Sequence, residues 1–495
     1  MTSRTTTDSP LLHPREIFVN GRWVAPLQNN VIEVVDSNDE QVYLSVAAAG
    51  KDDVGRAVSA ARAAFDEGVW PRMTHAQRAD YVRLLAEALR ARSAILADVW
   101  PRESGVLYSF SEGTGEFYAD VLNFYADLAA DFAWEEPAPT TPGAGFSMIV
   151  REPVGVVGAI VPWNSPLGLA IHKIAPALLS GCTVVLKAAP EAPAMAYVLA
   201  ECAEEIGLPP GVFNVVTADR EASESLVSDP RVDKIAFTGS TAAGRRIASL
   251  MGQRIGRVTL ELGGKSPAVI LDDADLGQAA TTIAQAERFL TGQTCASLTR
   301  LIVTRSRHDE FVEALSAAFS ATKVGNAFDP ASQMGPLVSA RQRDRVESYI
   351  AQGVASGAQL VAGGGRPAEL ERGYFIEPTV LAEVDNASVI AQEEIFGPVL
   401  TVLPARDEAD AIRIANDTIY GLNASVFTPD VDRARHVAGQ LRSGTVGHNA
   451  FRLDARIAFG GFKQSGLGRE GGREGLRPYL ETKVIILDGH PEGYR

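Results

Sequence analysis

Of the three cysteines in the chain, Cys182, Cys202 and Cys295, only the last is written into a turn. Cys182 and Cys202 stand in apolar text of helix or strand type, where a cysteine is a small buried hydrophobe. Cys295 closes Gly292-Gln293-Thr294-Cys295, the setting of an exposed turn. A cysteine thiolate attacks carbonyl carbon and forms a covalent intermediate. Upstream lies Glu261, in Glu261-Leu262-Gly263-Gly264-Lys265. A carboxylate can activate the water that later releases a product from such an intermediate. A third group is Asn164, placed after the apolar run 154–162. An amide at the carboxyl end of a buried strand is either a satisfied turn residue or an electrophile facing a developing oxyanion.

These groups need a frame. Runs 154–161, 183–186, 212–216 and 234–237 read as buried strands, with helices at 192–206 and 241–251 between them. That is the βαβ rhythm of a parallel sheet. A second alternation runs over 268–446. Ahead of both, 16–24 reads as a hairpin around Asn20-Gly21, and 54–64 and 76–96 read as helices. The stretch 137–145, rich in Pro, Thr, Ala and Gly, reads as a connection or an arm without an element of its own. Residues 1–16 are polar and read as loose.

Lys187 follows the strand 183–186, at the carboxyl edge where open α/β sheets bind ligands. In 234–244 a strand enters a turn at Gly239 and then a helix that Ser240 is placed to cap; free N–H groups at such a helix start attract phosphate. Two look-alikes fail. Gly466-Leu467-Gly468-Arg469-Glu470-Gly471 fits G-x-G-x-x-G, but no strand precedes it and too little chain follows for a βαβ unit. Gly264-Lys265-Ser266 is similar to the end of a P-loop, but Thr259 stands where the first glycine belongs.

At 495 residues the chain is long enough for two or three domains. Hydrophobic residues at 46% and charged residues at 22% are ordinary for a globular protein. A net charge of −15 argues against nucleic acid and anionic membrane as partners. Three cysteines make no disulfide framework and suit a reducing compartment. With no signal-type apolar segment and no run of membrane-spanning length, a soluble, cytoplasmic protein is expected. The seven histidines show no H-x-x-x-H or cysteine pairing, so no metal site is expected.

The motifs around Cys295 and Glu261 resemble those of the aldehyde dehydrogenase superfamily. So do Pro162-Trp163-Asn164, Phe237-Thr238-Gly239-Ser240, Glu393-Glu394-Ile395-Phe396-Gly397-Pro398 and Phe459-Gly460-Gly461-Phe462-Lys463-Gln464-Ser465-Gly466. All six stand in the family's order, and the resemblance runs from about residue 18 to about 487. It implies an α/β, aldehyde-dehydrogenase-like fold with three parts. These are a variant Rossmann cofactor-binding domain (10–130 and 153–262), an α/β catalytic domain (263–470) and a small β oligomerisation arm (131–152 and 478–495). A homodimer or homotetramer is implied with it.

The implied reaction is NAD(P)-dependent oxidation of a small-molecule aldehyde to the acid. It passes through a thiohemiacetal and a thioester on Cys295, the thioester being hydrolysed by water that Glu261 activates. Asn164 and the Cys295 N–H would form the oxyanion hole, and Lys173 and Glu481 match positions of a proton relay. The cofactor would meet Val161, Pro162, Trp163, Leu262, Gly239 and Ser240, with Lys187 on the adenosine ribose and Glu394 and Phe396 at the nicotinamide end. The chain departs from the family pattern just after Lys187. Where relatives carry Lys-Pro-x-Glu, it has Lys187-Ala188-Ala189-Pro190-Glu191, so Pro190 replaces the ribose carboxylate and Glu191 stands one place later. NAD is expected, and NADP is possible if Glu191 does not reach.

Ser165, His172, Thr294, Ala296 and Phe459 should line the aldehyde tunnel. Ser165 and His172 stand where many relatives carry bulky aromatics, which suggests a wider, more polar tunnel than in acetaldehyde specialists. In the loop 449–458, Arg452 and Arg456 are expected to face solvent. A CoA-acylating semialdehyde dehydrogenase and a non-catalytic binding protein on this fold are the competing readings. Glu261 speaks against the first, and the presence of Cys295 against the second.

Overall fold

The strands Val156–Ile160, Thr183–Ala188, Phe213–Thr217 and Lys234–Thr238 are buried at every residue. Strands apolar on both faces need cover on both faces. Val157 and Ala159 point into a core shared with the helices Pro166–Ser180 and Ala194–Glu205. Val156 and Ile160 point the other way, against the helices Lys51–Asp66 and Thr241–Gly252. The structure, a computed structural model, describes residues 9–142 and 145–492. Residues 1–8 of the start expected to be loose (1–16), part of the connection (143–144) and the end of the arm (493–495) lie outside the described residues. The rest of that start is not loose, since Leu11 is 3% exposed in the core and the Leu12 N–H bonds to Glu201 Oε1 at 2.8 Å.

The first sheet has eight strands, in the order Gly466–Leu467, Arg257–Glu261, Lys234–Thr238, Val156–Ile160, Thr183–Ala188, Phe213–Thr217, Ile17–Val19 and Arg22–Val24. Its five central strands, from Arg257–Glu261 to Phe213–Thr217, are parallel. Their carboxyl ends therefore share one edge. The expected hairpin is present, with Asn20 at φ 55° and Gly21 at φ 69°, the left-handed pair that a two-residue turn needs. A second sheet of seven strands takes up the later alternation, with Arg300–Thr304 between Pro267–Ile270 and Val399–Ala405.

Two expectations need correction. The helical run over 76–96 is two helices, His75–Ala91 and Ser93–Ser104. They part at Arg92, where the Ser93 hydroxyl turns back to the Arg90 carbonyl, a local bond that competes with continued helix. The connection over 137–145 begins inside a strand, Glu135–Ala138. That strand is the edge of a three-stranded sheet with Phe146–Pro153 and Leu480–Leu487, and an edge tolerates Pro137. Among the described residues no helix is long and apolar enough to cross a membrane.

Candidate active site

The cysteine is delivered by an unusual piece of backbone. After the helix Leu276–Arg288, Leu290 (φ 51°), Thr291 (φ 56°) and Gly292 (φ 68°) are left-handed in succession. Leucine and β-branched threonine adopt this conformation only when their surroundings enforce it. The surroundings do. Thr291 Oγ1 donates to the Gly335 carbonyl at 3.0 Å. Gln293 Nε2 donates to the Leu290 carbonyl at 2.9 Å, and its Oε1 accepts from the Val338 N–H at 2.9 Å. Gln293 is fully buried, so the turn is not the exposed one the sequence suggests.

Cys295 is half-buried beyond this turn, against a tunnel of about 830 Å³ that it helps to line. Burial pushes its thiol up to about 12, and the charges of Glu394 and Glu261 add to the effect; the Ala296 and Cys295 N–H groups oppose it. Cys182 and Cys202 are wholly buried, as their contexts indicate.

Glu261 ends its strand at the shared carboxyl edge and is 2% exposed. Burial holds its carboxyl well above the ordinary value; Glu470 raises it further, while Lys173 and Arg469 pull it down. Neither carboxylate oxygen has a hydrogen-bond partner among the described residues. The carboxylate fits because Gly460 has no side chain: a Cβ there would stand 2.6 Å from Glu261 Oε1. Asn164 is buried four residues past the end of Val156–Ile160, and its Nδ2 donates to the Gln293 carbonyl at 2.9 Å. That bond ties the first sheet's edge to the cysteine turn. It leaves the amide's second hydrogen free for an oxyanion.

The expected pairing of Lys173 with Glu481 is overturned. Lys173 Nζ, fully buried, meets Glu470 Oε1 at 2.7 Å and Thr238 Oγ1 at 2.6 Å. Glu481 is the second residue of Leu480–Leu487, is half-buried and takes Arg257 instead. Glu470 went unnoticed because it sits in the glycine-rich stretch dismissed as a false nucleotide motif. Those glycines have another use: Gly468, Gly471 and Gly472 are left-handed and turn the chain after the edge strand Gly466–Leu467.

At the rest of the carboxyl edge, the Val161 N–H bonds to the Lys187 carbonyl at 3.3 Å. After Pro162 comes Trp163, whose ring meets that of Phe396 at 5.3 Å, edge-on at 84°. Glu394 accepts from the Gly264 N–H at 3.2 Å, and burial pushes it up to about 7. The Gly239 N–H bonds to the Glu261 carbonyl at 3.0 Å. Ser240 Oγ accepts from Ala243 N–H at 3.3 Å, which leaves the first N–H groups of Thr241–Gly252 without partners. Leu262 packs under Gly244, where a Cβ would come within 2.4 Å of it. Lys187 is 8% exposed and is lowered to about 8, by burial first, with Glu191 and Asp219 opposing. Glu191 itself is held by Arg341 Nη2 at 2.8 Å. A helix start with free N–H groups, a buried ammonium and a buried carboxylate on one edge suit a dinucleotide's phosphates and riboses.

All five expected tunnel residues, Ser165, His172, Thr294, Ala296 and Phe459, line the cavity. The rest of its lining is largely apolar. Phe289, Leu169, Phe451 and Leu290 also form its wall. Ser165 is engaged by the Tyr118 hydroxyl, which sits where a Cβ on Gly168 would be, 2.1 Å away. His172 is driven toward its neutral form by burial. At the mouth, Phe110, Phe117, Leu453 and Ile457 are 52%, 53%, 46% and 58% exposed. Arg452 and Arg456 point to solvent, as expected. Elsewhere His308, Asp309 and Glu383 approach one another, but none of them lines the tunnel.

Fold and site together define an α/β enzyme built on two large sheets with a cysteine nucleophile, whose acceptor edge and substrate tunnel meet at that cysteine. Comparison with known proteins makes the class specific: the model of the aldehyde dehydrogenase family matches residues 23–485. The chain belongs to the aldehyde dehydrogenase family, and with it to the NAD(P)-dependent oxidoreductases. It is 43% identical to a geranial dehydrogenase of Castellaniella defragrans over 476 residues, covering 96% of this chain and 99% of that one. A Mycobacterium tuberculosis aldehyde dehydrogenase solved with NAD+ is 44% identical, with a TM-score of 0.93 over 97% of this chain and 99% of the other. A Pseudomonas syringae aldehyde dehydrogenase C variant solved with NAD+ and octanal is 38% identical, with a TM-score of 0.92 over 96% and 97% of the two chains.

Proposed function

We propose that the protein oxidises aldehydes with an apolar chain to the free carboxylic acid, with NAD as acceptor. The observation that carries hydrolysis is Glu261: a buried carboxylate without a protein partner, close enough to Cys295 for its charge to act on the thiol. The bound nicotinamide supplies the hydride acceptor. Everything else falls to the chain's own residues. Lys187, Gly239 and Ser240 hold the adenosine and phosphate end, and Glu394 and Phe396 the nicotinamide end. Val161, Pro162, Trp163 and Leu262 form the wall beside it. Cys295 Sγ bonds to the aldehyde carbon, and the oxygen takes the negative charge. Asn164 Nδ2 and the Cys295 N–H donate to that oxygen, each such donor being worth about 3–4 kcal/mol in rate. After oxidation the carbon is a thioester. Glu261 takes a proton from water as the water attacks, and the Cys295–carbon bond breaks. Lys173 and Glu470 then share the proton with Glu261.

The apolar chain is read from the wall and mouth of the tunnel. Apolar burial favours such a chain by roughly 0.8 kcal/mol per methylene, and no unpaired carboxylate lies deep in the tunnel to hold a cationic substrate. Glu470 is committed to Lys173, and Asp454 is at the exposed rim. Relatives named for betaine aldehyde and for geranial bracket the choice. Over aliphatic, aromatic, terpenoid and cationic aldehydes, kcat/KM read from reduced nicotinamide should rise with apolar chain length. A preference for small or cationic aldehydes would overturn the reading, and an acyl-thiol product in place of free acid would overturn hydrolysis.

Pro190 offers no acceptor, so discrimination between NAD and NADP rests on Glu191, which stands beside Lys187 and is held by Arg341. Glu191→Ala removes a negative charge and frees a guanidinium that suits a 2′-phosphate. The ratio of kcat/KM for NADP to that for NAD should rise about fivefold, a modest change because the pair is partly exposed. A ratio unchanged within about twofold would show that Glu191 does not select the cofactor.

The finer organisation belongs to the same proposal. Residues 10–130 with 153–262 serve the cofactor, and 263–470 carry the nucleophile. The three-stranded sheet of 131–152 and 478–495 is the oligomerisation arm. Its strand Leu480–Leu487 is an edge with Val484 57% and Ile486 66% exposed, an arrangement that invites pairing. A homodimer or homotetramer follows, and light scattering at micromolar concentration should find no monomer. Three free cysteines fit a cytoplasmic setting.

A further inference from the structure

Each turnover must dispose of protons in a closed place. Aldehyde, water and oxidised dinucleotide become carboxylate, reduced dinucleotide and two protons. The Cys295 thiol gives up a proton on attack and regains one when its thiolate leaves, so both released protons come, over the turnover, from the attacking water. Glu261, Glu470 and Lys173, which receive them, are 2%, 2% and 0% exposed.

A polar stripe leads away from them. In the strand Arg257–Glu261, residues 257, 259 and 261 share one face, because successive side chains alternate. In the neighbouring parallel strand, Lys234, Ala236 and Thr238 share that face, in register with Arg257, Thr259 and Glu261. The two strands carry matched contacts. Lys173 Nζ meets Thr238 Oγ1 at 2.6 Å, and Lys234 Nζ meets Thr259 Oγ1 at 2.6 Å. Ala236 puts only a methyl group between the two lysines. At the far end of the stripe Arg257 and Glu481 form a partly exposed ion pair at the surface.

Among the described residues Lys234 has no carboxylate in contact. It is 1% exposed, and Thr259 is its hydrogen-bond partner; the Tyr479 ring lies 5.0 Å from its Nζ. A buried ammonium on a single neutral oxygen is costly, and an apolar side chain of that length would pack there more cheaply. The surrounding polar atoms are also incompletely satisfied: both Glu261 oxygens and the Tyr479 hydroxyl are buried without partners among the described residues. Buried polar atoms of this kind are served by ordered water, which conducts protons.

We propose that Lys234 and Thr259 carry protons from the catalytic carboxylates along the strand Arg257–Glu261 to the surface at Arg257 and Glu481. The proposal rests on the hydrolytic reading above. Protonated Glu261 gives its proton to the Thr259 hydroxyl and the water beside it. The hydroxyl passes its own proton on to the neutral Lys234 amine. The ammonium so formed releases a proton to solvent, and no electron pair leaves any heavy atom. Lys234 can hold either state near neutral pH: burial lowers it to about 7, Cys182 and Glu470 favour its charged form, and Lys173 and Arg257 oppose it.

Two variants of the full-length protein test this, Lys234→Met and Thr259→Val. In each, kcat should fall about tenfold with both KM values within about twofold, since a proton-transfer step is lost and binding is not. A first-turnover burst of reduced cofactor should be visible, because hydride transfer now precedes the slow step. The neutral-pH inflection of kcat should disappear, and tens of millimolar imidazole should restore part of the rate. A merely structural Lys234 would lower the melting temperature and leave the pH profile and solvent isotope effect of both variants as they are in the unaltered protein; that result overturns the proposal. If Lys234→Met does not fold, Thr259→Val decides alone by the same criteria. An unaltered protein that yields no free acid would instead overturn the hydrolytic reading.

Discussion

Replacing Cys295 with Ala should abolish aldehyde oxidation, lowering kcat by at least about 10⁴-fold, while NAD still binds. No other nucleophile is at hand: Cys182 and Cys202 are buried in the core. The acceptor edge, from Lys187 to Phe396, lies on other segments of the chain, so cofactor affinity by fluorescence titration should stay within about twofold. The same site sets the pH dependence. Burial, Glu394 and Glu261 push the Cys295 thiol up to about 12, and burial raises Glu261 as well. The reactive form of each is the deprotonated one, so kcat/KM should climb as pH rises through and above neutrality. Turnover in a homogeneous Cys295→Ala preparation would rule out the covalent mechanism.

Glu261→Gln separates the two halves of the reaction. Glutamine keeps the shape and removes the base, so acylation and hydride transfer proceed and hydrolysis stalls. Rapid mixing should show one equivalent of reduced cofactor formed quickly, followed by a steady state slower by about 10²–10⁴-fold, the usual contribution of a general base. Loss of the burst together with the steady state would place Glu261 earlier, in the ionisation of Cys295. Mass spectrometry of the stalled enzyme should find the acyl group on Cys295.

What the sequence makes legible here is local chemistry. The strands of the first sheet announce themselves because they are apolar on both faces, and the Asn20-Gly21 turn because few residue pairs tolerate its backbone. Cys295, Glu261 and Asn164 are recognisable from their motifs, each one a short stretch of chain. The misreadings concern partners set by distant parts of the fold. Lys173 meets Glu470 across 297 positions, and nothing near either residue marks Glu470 over Glu481. The cysteine turn looks exposed from its Gly, Gln and Thr, yet Gln293 is buried because Val338 arrives to take its oxygen. Ser165 and His172 are legible as tunnel residues, but the aromatic side chains beside them come from other elements: Phe117 and Tyr118 of the helix Thr114–Asp131, and Phe289 beyond the helix Leu276–Arg288. The pairing of Glu191 with Arg341 joins two segments that carry no matching signal.

The apolar mouth formed by Phe110, Phe117, Leu453 and Ile457 also bears on what leaves. The entering aldehyde is neutral and gains by shedding its hydration. The departing carboxylate is charged, and an apolar corridor is a poor solvent for an anion. Oxidation therefore inverts the partition coefficient of the molecule inside the tunnel. The corridor concentrates reactant from dilute solution and rejects product into water, which makes it a chemical check valve. The acid should compete weakly with its parent aldehyde even when it accumulates in excess.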